Sequence, residues 1–357
     1  MNPVPTFKTG KVERILEECT GLQRIEVSLD GNAERAYVLP QLTGPVATGD
    51  AVVVNTTAVD LGLGTGGWHV VHWNLSRDHW SQPGPGHIMK ARYTSLQADV
   101  GSTEEHWTEL TDITSIDGLP VVAAALHSQV PAIAVAFKYA RPDLKLAYVM
   151  TDGAALPLAL SDLVAQLRDR VLLDGTVTCG HAFGGDYEAV SVYSALAIAK
   201  HIIGADAAVV AMGPGIVGTA TRLGFSGIEV GPVLDAAAGL GGVPIACLRV
   251  SFADPRERHH GLSHHSATAL TVATRSRALL PLPTVGGDEE RVLRADLDAA
   301  GLLDRHDVVE IAPVGIVHLL RAHNLPVVSM GRPAAEDPVL FEAAAAAGIV
   351  AAAECVS

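Results

Sequence analysis

The amino-acid sequence predicts an α/β protein: a mostly parallel sheet with helices on both faces, preceded by a small β-rich, barrel-like N-terminal domain. Two observations carry that expectation. From about Gly10 to about Val71, apolar and polar residues alternate between turn signals, the period of half-buried strands. From about Leu119 the pattern changes to continuous apolar runs separated by helical segments, as for strands covered on both faces. The expected domains are a small β domain over residues 1–75, a Gly/Pro/Trp-rich connection over 76–118 and an α/β domain over 119–357.

In the first domain "LDGN" reads as a hairpin turn and "GPVATGD" as a loop before a strand. The connection holds "QPGPGH", which sustains neither a helix nor a central strand, so it is expected to be a long ordered link lining a cleft. In the α/β domain "VVAAALHS", "AIAVAFKYA", "KLAYVMTDG", "GTVTCGHA", "ADAAVVAMG", "PIACLRVSF" and "VVEIAP" are the expected strands. The expected helices are "ALSDLVAQLRDR", "DYEAVSVYSALAIAKHII", "SHHSATALTVATRSRA" and "VGIVHLLRAHN". The Ala-rich tail from Ala343 to Ala353 is too short to span a bilayer, and Gly348 is expected to divide it into a helix end and a strand.

Composition narrows the function. A chain of 357 residues, 48% apolar and 18% charged, has a globular composition. Its net charge of -14, from 39 acidic against 25 basic residues, argues against a general nucleic-acid binder, since affinity for phosphate backbones comes from Lys and Arg. Cys19, Cys179, Cys247 and Cys355 lie far apart and form no CxxC pair, which fits reduced thiols in a cytoplasm. The charged N-terminus is unlike a signal peptide, and no segment approaches the roughly 18 apolar residues of a membrane span.

Ligands of parallel sheets collect at the carboxyl ends of the strands, and the chemistry of this sequence falls there. His127 follows the first run, Asp152 the third, His181 and Asp186 the fourth, and Gly213, Gly215 and Gly218 the fifth. "RERHHGLSHHS" follows the sixth. In it Ser263 is placed to cap a helix whose first turn carries His264 and His265, while Arg256 and Arg258 can grip phosphate or carboxylate. The alternative is a solvated loop with capping or packing histidines. The glycines match GxGxxG, a phosphate-cradling turn, although Pro214 within it and Gly224 and Gly227 beyond it equally suit close backbone packing. Asp186 and Asp152 can be a helix cap and a turn residue.

Histidine and carboxylate together suit zinc, manganese or iron, so a divalent metal is among the options for a cofactor that is otherwise unassigned. The spacing is not diagnostic: no HExxH is present, and adjacent helical histidines point about 100 degrees apart, so at most one of each pair is expected to face a common ion.

"LGTGGWHVV", "PGHIMKARYTSLQ", "TDGAALP", "GGDYEAVSVYSAL", "GPGIVGTATRLGFSG" and "RERHHGLSHHSATAL" together resemble a bacterial family known as domain of unknown function 3866. The resemblance runs through nearly the whole chain and implies a shared fold, without an activity or a catalytic residue.

The functional expectation therefore rests on the residues. It is an enzyme acting on a small anionic or phosphorylated metabolite, with Arg256 and Arg258 on the anion, His127, His181 and the glycines nearby, His264 or His265 as acid or base, and Asp152 or Asp186 orienting it. His264 is expected to titrate below the ~6.5 of a free imidazole, because of the helix dipole and Arg258. A non-catalytic metabolite-binding or scaffold protein is the alternative. The expected partners are a small anionic molecule and, as an open option, a second copy of the chain, with neither nucleic acid nor membrane.

Overall fold

The alternating N-terminal segments form β1 (Phe7–Cys19), β2 (Leu22–Leu29), β3 (Asn32–Val38), β4 (Ala51–Asn55) and β5 (Trp68–Asn74). They close into a barrel in the order β1-β2-β3-β5-β4, with β3 and β5 parallel. The expected "LDGN" turn joins β2 to β3, with Asp30 and Gly31 both at positive φ, the backbone of a tight hairpin. Val12, Ile25, Val27, Ala36, Val38, Val52, Val54 and Val71 fill the barrel. The structure, a computed structural model, describes residues 5–64 and 66–355. The readings made at residues 1–4 and at Thr65 of "LGTGGWHVV" lie outside the described residues. The chain divides into two compact units, at Gly101 and Ser102.

The second unit is built on β6 (Pro120–Ala124), β7 (Leu146–Thr151), β8 (Gly175–Cys179), β9 (Tyr187–Ala189), β10 (Ala207–Met212), β11 (Val243–Cys247), β12 (Leu279–Pro283) and β13 (Asp307–Ile311). These make one eight-stranded sheet, ordered β9-β8-β7-β10-β6-β11-β12-β13 and parallel throughout. Alternate residues of β6 enter opposite cores. Val122 and Ala124 pack beneath the Val130–Ala140, Asp162–Asp169, Ile316–Ala322 and Pro338–Glu354 helices. Val121 and Ala123 pack beneath the Val192–His201, Val230–Gly239 and Gly287–Ala299 helices. No helix among the described residues is long and apolar enough to cross a membrane.

Three expected elements differ. "AIAVAFKYA" lies in the Val130–Ala140 helix, not a strand: Pro131 opens it and every residue from Val130 to Phe137 is buried. A helix buried all round has the same continuous apolar run as a buried strand, so periodicity does not separate them. Gly348 does not divide the tail, because the Pro338–Glu354 helix runs through it. A Cβ at that position would collide with the Ile133 carbonyl oxygen, so this glycine permits close approach of two helices. The helix expected from Asp186 begins at Val192 under a Ser191 cap, and Tyr187–Ala189 becomes the edge strand β9.

The sheet order sets the site. From β6 the chain crosses past β10 to reach β7, and from β10 it crosses past β6 to reach β11. Those two connections cross, whereas the connections leaving the adjacent strands β6 and β11 run apart on opposite faces of the sheet, which opens the carboxyl end between β6 and β11.

Candidate functional site

The segment after β11 folds back on itself. Val250 pairs with Leu262 and Ser251 with Gly261, antiparallel, so the loop between them returns beside the start of the next helix. Ser263 caps that helix as expected, its Oγ accepting the His265 N–H at 3.2 Å. The α-helical part is only His264–Thr268, and a π-helical turn, Ala269–Ala273, follows. So short a helix contributes a cap and not the dipole-based anion site expected of a longer one.

The hairpin brings three imidazoles together. One ring nitrogen each of His259, His264 and His265 lies within 4.8 Å of the others. The ring centroids of His264 and His265 are 4.3 Å apart, so both members of this adjacent pair join the cluster, contrary to the helical-angle expectation. Of the first pair only His259 turns inward; His260 stays exposed with its ring edge-on to Phe252. Phe225, from the loop after β10, stacks on His265 at 3.9 Å.

His259 Nδ1 bonds Ser263 Oγ at 2.7 Å, and its Nε2 accepts from Arg258 Nε at 3.4 Å. His264 Nε2 and His265 Nδ1 are buried with no hydrogen-bond partner. Burial first pushes the His259 and His265 pKa values down to about 3, followed by Arg249 for His259 and by His264 and then Arg249 for His265. His264 is lowered too, by burial and then by Arg258, Arg249 and Arg256. All three rings are therefore neutral at pH 7.

The arginines divide into two groups. Arg256 is held by Asp254, with Nε at 2.9 Å and Nη2 at 2.7 Å. Asp254, whose side chain is fully buried, also meets Arg249 and Arg332, and Arg332 reaches Asp337. The Arg256 guanidinium first, among these partners, holds the Asp254 carboxyl well below the usual carboxylate range. Arg258, by contrast, lines an open cleft of about 550 Å³ with Arg222, Glu257, His260, His264 and Asp296.

The other sequence candidates lie in separate places. His127 is buried after β6, where Nε2 meets Ser161 Oγ at 2.6 Å and Nδ1 meets Tyr148 Oη at 3.1 Å and the Met212 carbonyl at 3.2 Å. Since Met212 O only accepts, Nδ1 carries the proton and Nε2 accepts from Ser161. Asp152 accepts the His181 N–H at 2.9 Å, joining the loops after β7 and β8. Asp186 is drawn back beside Thr176, near the amino end of β8, where it takes the Thr176 N–H and hydroxyl and pairs with Arg168. It is neither a helix cap nor part of the carboxyl-end site.

The glycines after β10 serve packing. A Cβ on Gly213 would collide with the Ala155 carbonyl, Gly215 has φ near 107°, and Gly218 lies beside Phe225 and His265. A 3₁₀ turn, Ser226–Glu229, comes first and the next α-helix begins only at Val230, so no α-helix start directly follows the GxGxxG turn to cradle phosphate.

Two residues escaped the sequence reading. Arg222 sits in "GTATRLGFSG" with only its charge as a signal. Glu229 accepts from Thr151 Oγ1 at 2.6 Å, and burial pushes its pKa up to about 7. Its signal was an acid between Ile228 and Val230.

Residues 35–348 match the model of a family described as a protein of unknown function (DUF3866), and the chain belongs to that family. Curated proteins give no match.

Proposed function

We propose that this DUF3866 member is a cytoplasmic enzyme acting on a small anionic, phosphorylated metabolite in the cleft beside the histidine cluster. The observation that carries this reading is that Arg222, Arg258 and His264 line one open cleft, walled by the loop after β11, the helix that loop enters and the last turns of the Gly287–Ala299 helix. Arg258 projects a guanidinium suited to bidentate phosphate contact, and Arg222 adds a second cation. Glu257 lines the cleft too and accepts from substrate hydroxyl or amine groups; Asp296 is occupied in part by the Leu262 N–H. His264 supplies chemistry at the cleft wall: its ring is neutral at pH 7 and so keeps a lone pair for a proton or an ion, where an imidazolium keeps none.

Arg256 has no part in this reading, because Asp254 already occupies the Nε–Nη2 edge of its guanidinium. Calorimetric titration with inorganic phosphate tests the proposal. Arg258→Gln and Arg222→Gln are each expected to weaken binding by at least about tenfold, the cost of one charge-assisted contact. Equal affinity in wild type and both folded variants would refute it, and would favour a non-catalytic surface role for the cleft.

A further inference from the structure

We propose that His259, His264 and His265 form a binding site for a divalent first-row transition metal of zinc type, with one coordination position left toward the cleft. The inference goes beyond the anion reading and does not depend on it. Three neutral nitrogens without a carboxylate make a donor set that suits zinc and its neighbours and disfavours magnesium or calcium, which take oxygen. The geometry is nearly closed. Three nitrogens about 2.1 Å from one tetrahedral ion stand about 3.4 Å apart, and here they lie within 4.8 Å before any ion draws them in.

The surroundings fit as well. His259 has Nδ1 on Ser263 Oγ, which fixes the ring and leaves Nε2 as the lone-pair nitrogen. Metal-binding histidines are usually oriented by such a second hydrogen bond. His265, only 7% exposed, keeps Nδ1 without a partner, and His264 keeps Nε2 without one. Buried polar atoms are seldom left unpaired, so two in one cluster point to a missing partner. His264 also lines the cleft, which gives an ion held there a face open to substrate or water.

Arg258 decides how the ion binds. Its Nε donates to His259 Nε2 and must move aside, and its charge opposes a cation. Arg249, Arg256 and Arg332 are offset only in part by Asp254 and Asp337. Metal and anion are therefore expected to bind cooperatively, the anion offsetting the surplus positive charge and drawing Arg258 from His259.

The test uses the full chain, stripped with a chelator and titrated with cobalt(II) and zinc(II). One cobalt per chain with the intense visible bands of tetrahedral coordination is expected, displaced by zinc. His264→Gln, a partly exposed position that spares the core, and His265→Ala should each weaken binding by at least 100-fold, while His318→Gln changes nothing. Arg258→Gln should tighten metal binding measured alone and abolish the gain produced by inorganic phosphate. Absence of tetrahedral cobalt bands in folded wild type, or bands unchanged in folded His264→Gln, would overturn the site. Phosphate titration of the stripped protein reads the anion reading separately, so either can fail alone.

Discussion

His127 and His265 are both buried histidines at the carboxyl ends of neighbouring stretches of one parallel sheet, and they differ in what their ring nitrogens meet. Around His127 the hydrogen bonds run in a closed chain. Tyr148 donates to the Ala211 carbonyl, His127 Nδ1 donates to the Met212 carbonyl, Ser161 donates to His127 Nε2 and Val164 N–H donates to Ser161. Around His265 the chain is open, with Nδ1 facing no partner. A closed network holds a fold together, whereas an open one bears a cost that a ligand can relieve. The same residue type in the same end of the sheet thus divides into structure and site by its accounts of donors and acceptors.

That contrast is broken most severely in the closed networks. Asp254→Ala leaves Arg249 without its buried partner, frees Arg256 and leaves Arg332 with Asp337 alone. A cost of about 3–5 kcal/mol is expected, read from urea unfolding. His127→Ala strips Ser161 and Met212 of a partner and leaves a void beside Tyr148, with an expected cost of about 2–3 kcal/mol in the same measurement. A loss below about 0.5 kcal/mol in either variant would mean that the network is not what it looks like.

Much of this was legible in the sequence, for identifiable reasons. Two-sided burial writes itself as continuous apolar runs, so β6, β7, β8, β10 and β11 were readable, as was Ser263 as a cap. The Val130–Ala140 helix was not, since a fully buried helix carries no periodicity. Leu279–Pro283 was hidden by two prolines within a strand, and Val230–Gly239 by its glycines. In the site, the density of histidine and arginine marked the right segment. It could not tell Arg256, locked on Asp254, from Arg258 in the cleft, nor foresee that a hairpin turns His259 toward an adjacent pair. Those distinctions are tertiary, and Asp186 failed for the same reason: the chain after β8 doubles back.

The next prediction concerns acid. His127 is held by burial at about 4 in the folded protein, against about 6.5 unfolded. Below pH 6.5 the unfolded chain binds a proton that the folded one refuses, so stability falls with pH down to about 4 and is unaffected by this group above about 7. The slope is up to about 1.4 kcal/mol per pH unit for each such histidine. In metal-free protein His259 and His265 act with the same sign over a window reaching about 3. Unfolding measured at several pH values should show a shallower acid slope in His127→Ala than in wild type; parallel slopes would contradict the burial argument.

The smallest expected effect is the one that sharpens the comparison most. His264→Gln, in stripped protein, removes an imidazole whose Nε2 had no partner and whose ring is only partly buried. No hydrogen bond is lost from that atom, and glutamine keeps a polar end that can reach water in the cleft. Stability is therefore expected to stay within about 1 kcal/mol of wild type, or to rise slightly, where the same kind of change at His127 costs two to three times as much. Adding zinc should reverse the ranking. An ion that binds only the folded form stabilises it by about 2.7 kcal/mol at a hundredfold excess over its Kd, so wild type gains and His264→Gln does not. If His264→Gln destabilised the stripped protein as much as His127→Ala does, the histidine cluster would be a second closed network, and its open valences would be occupied by the protein itself.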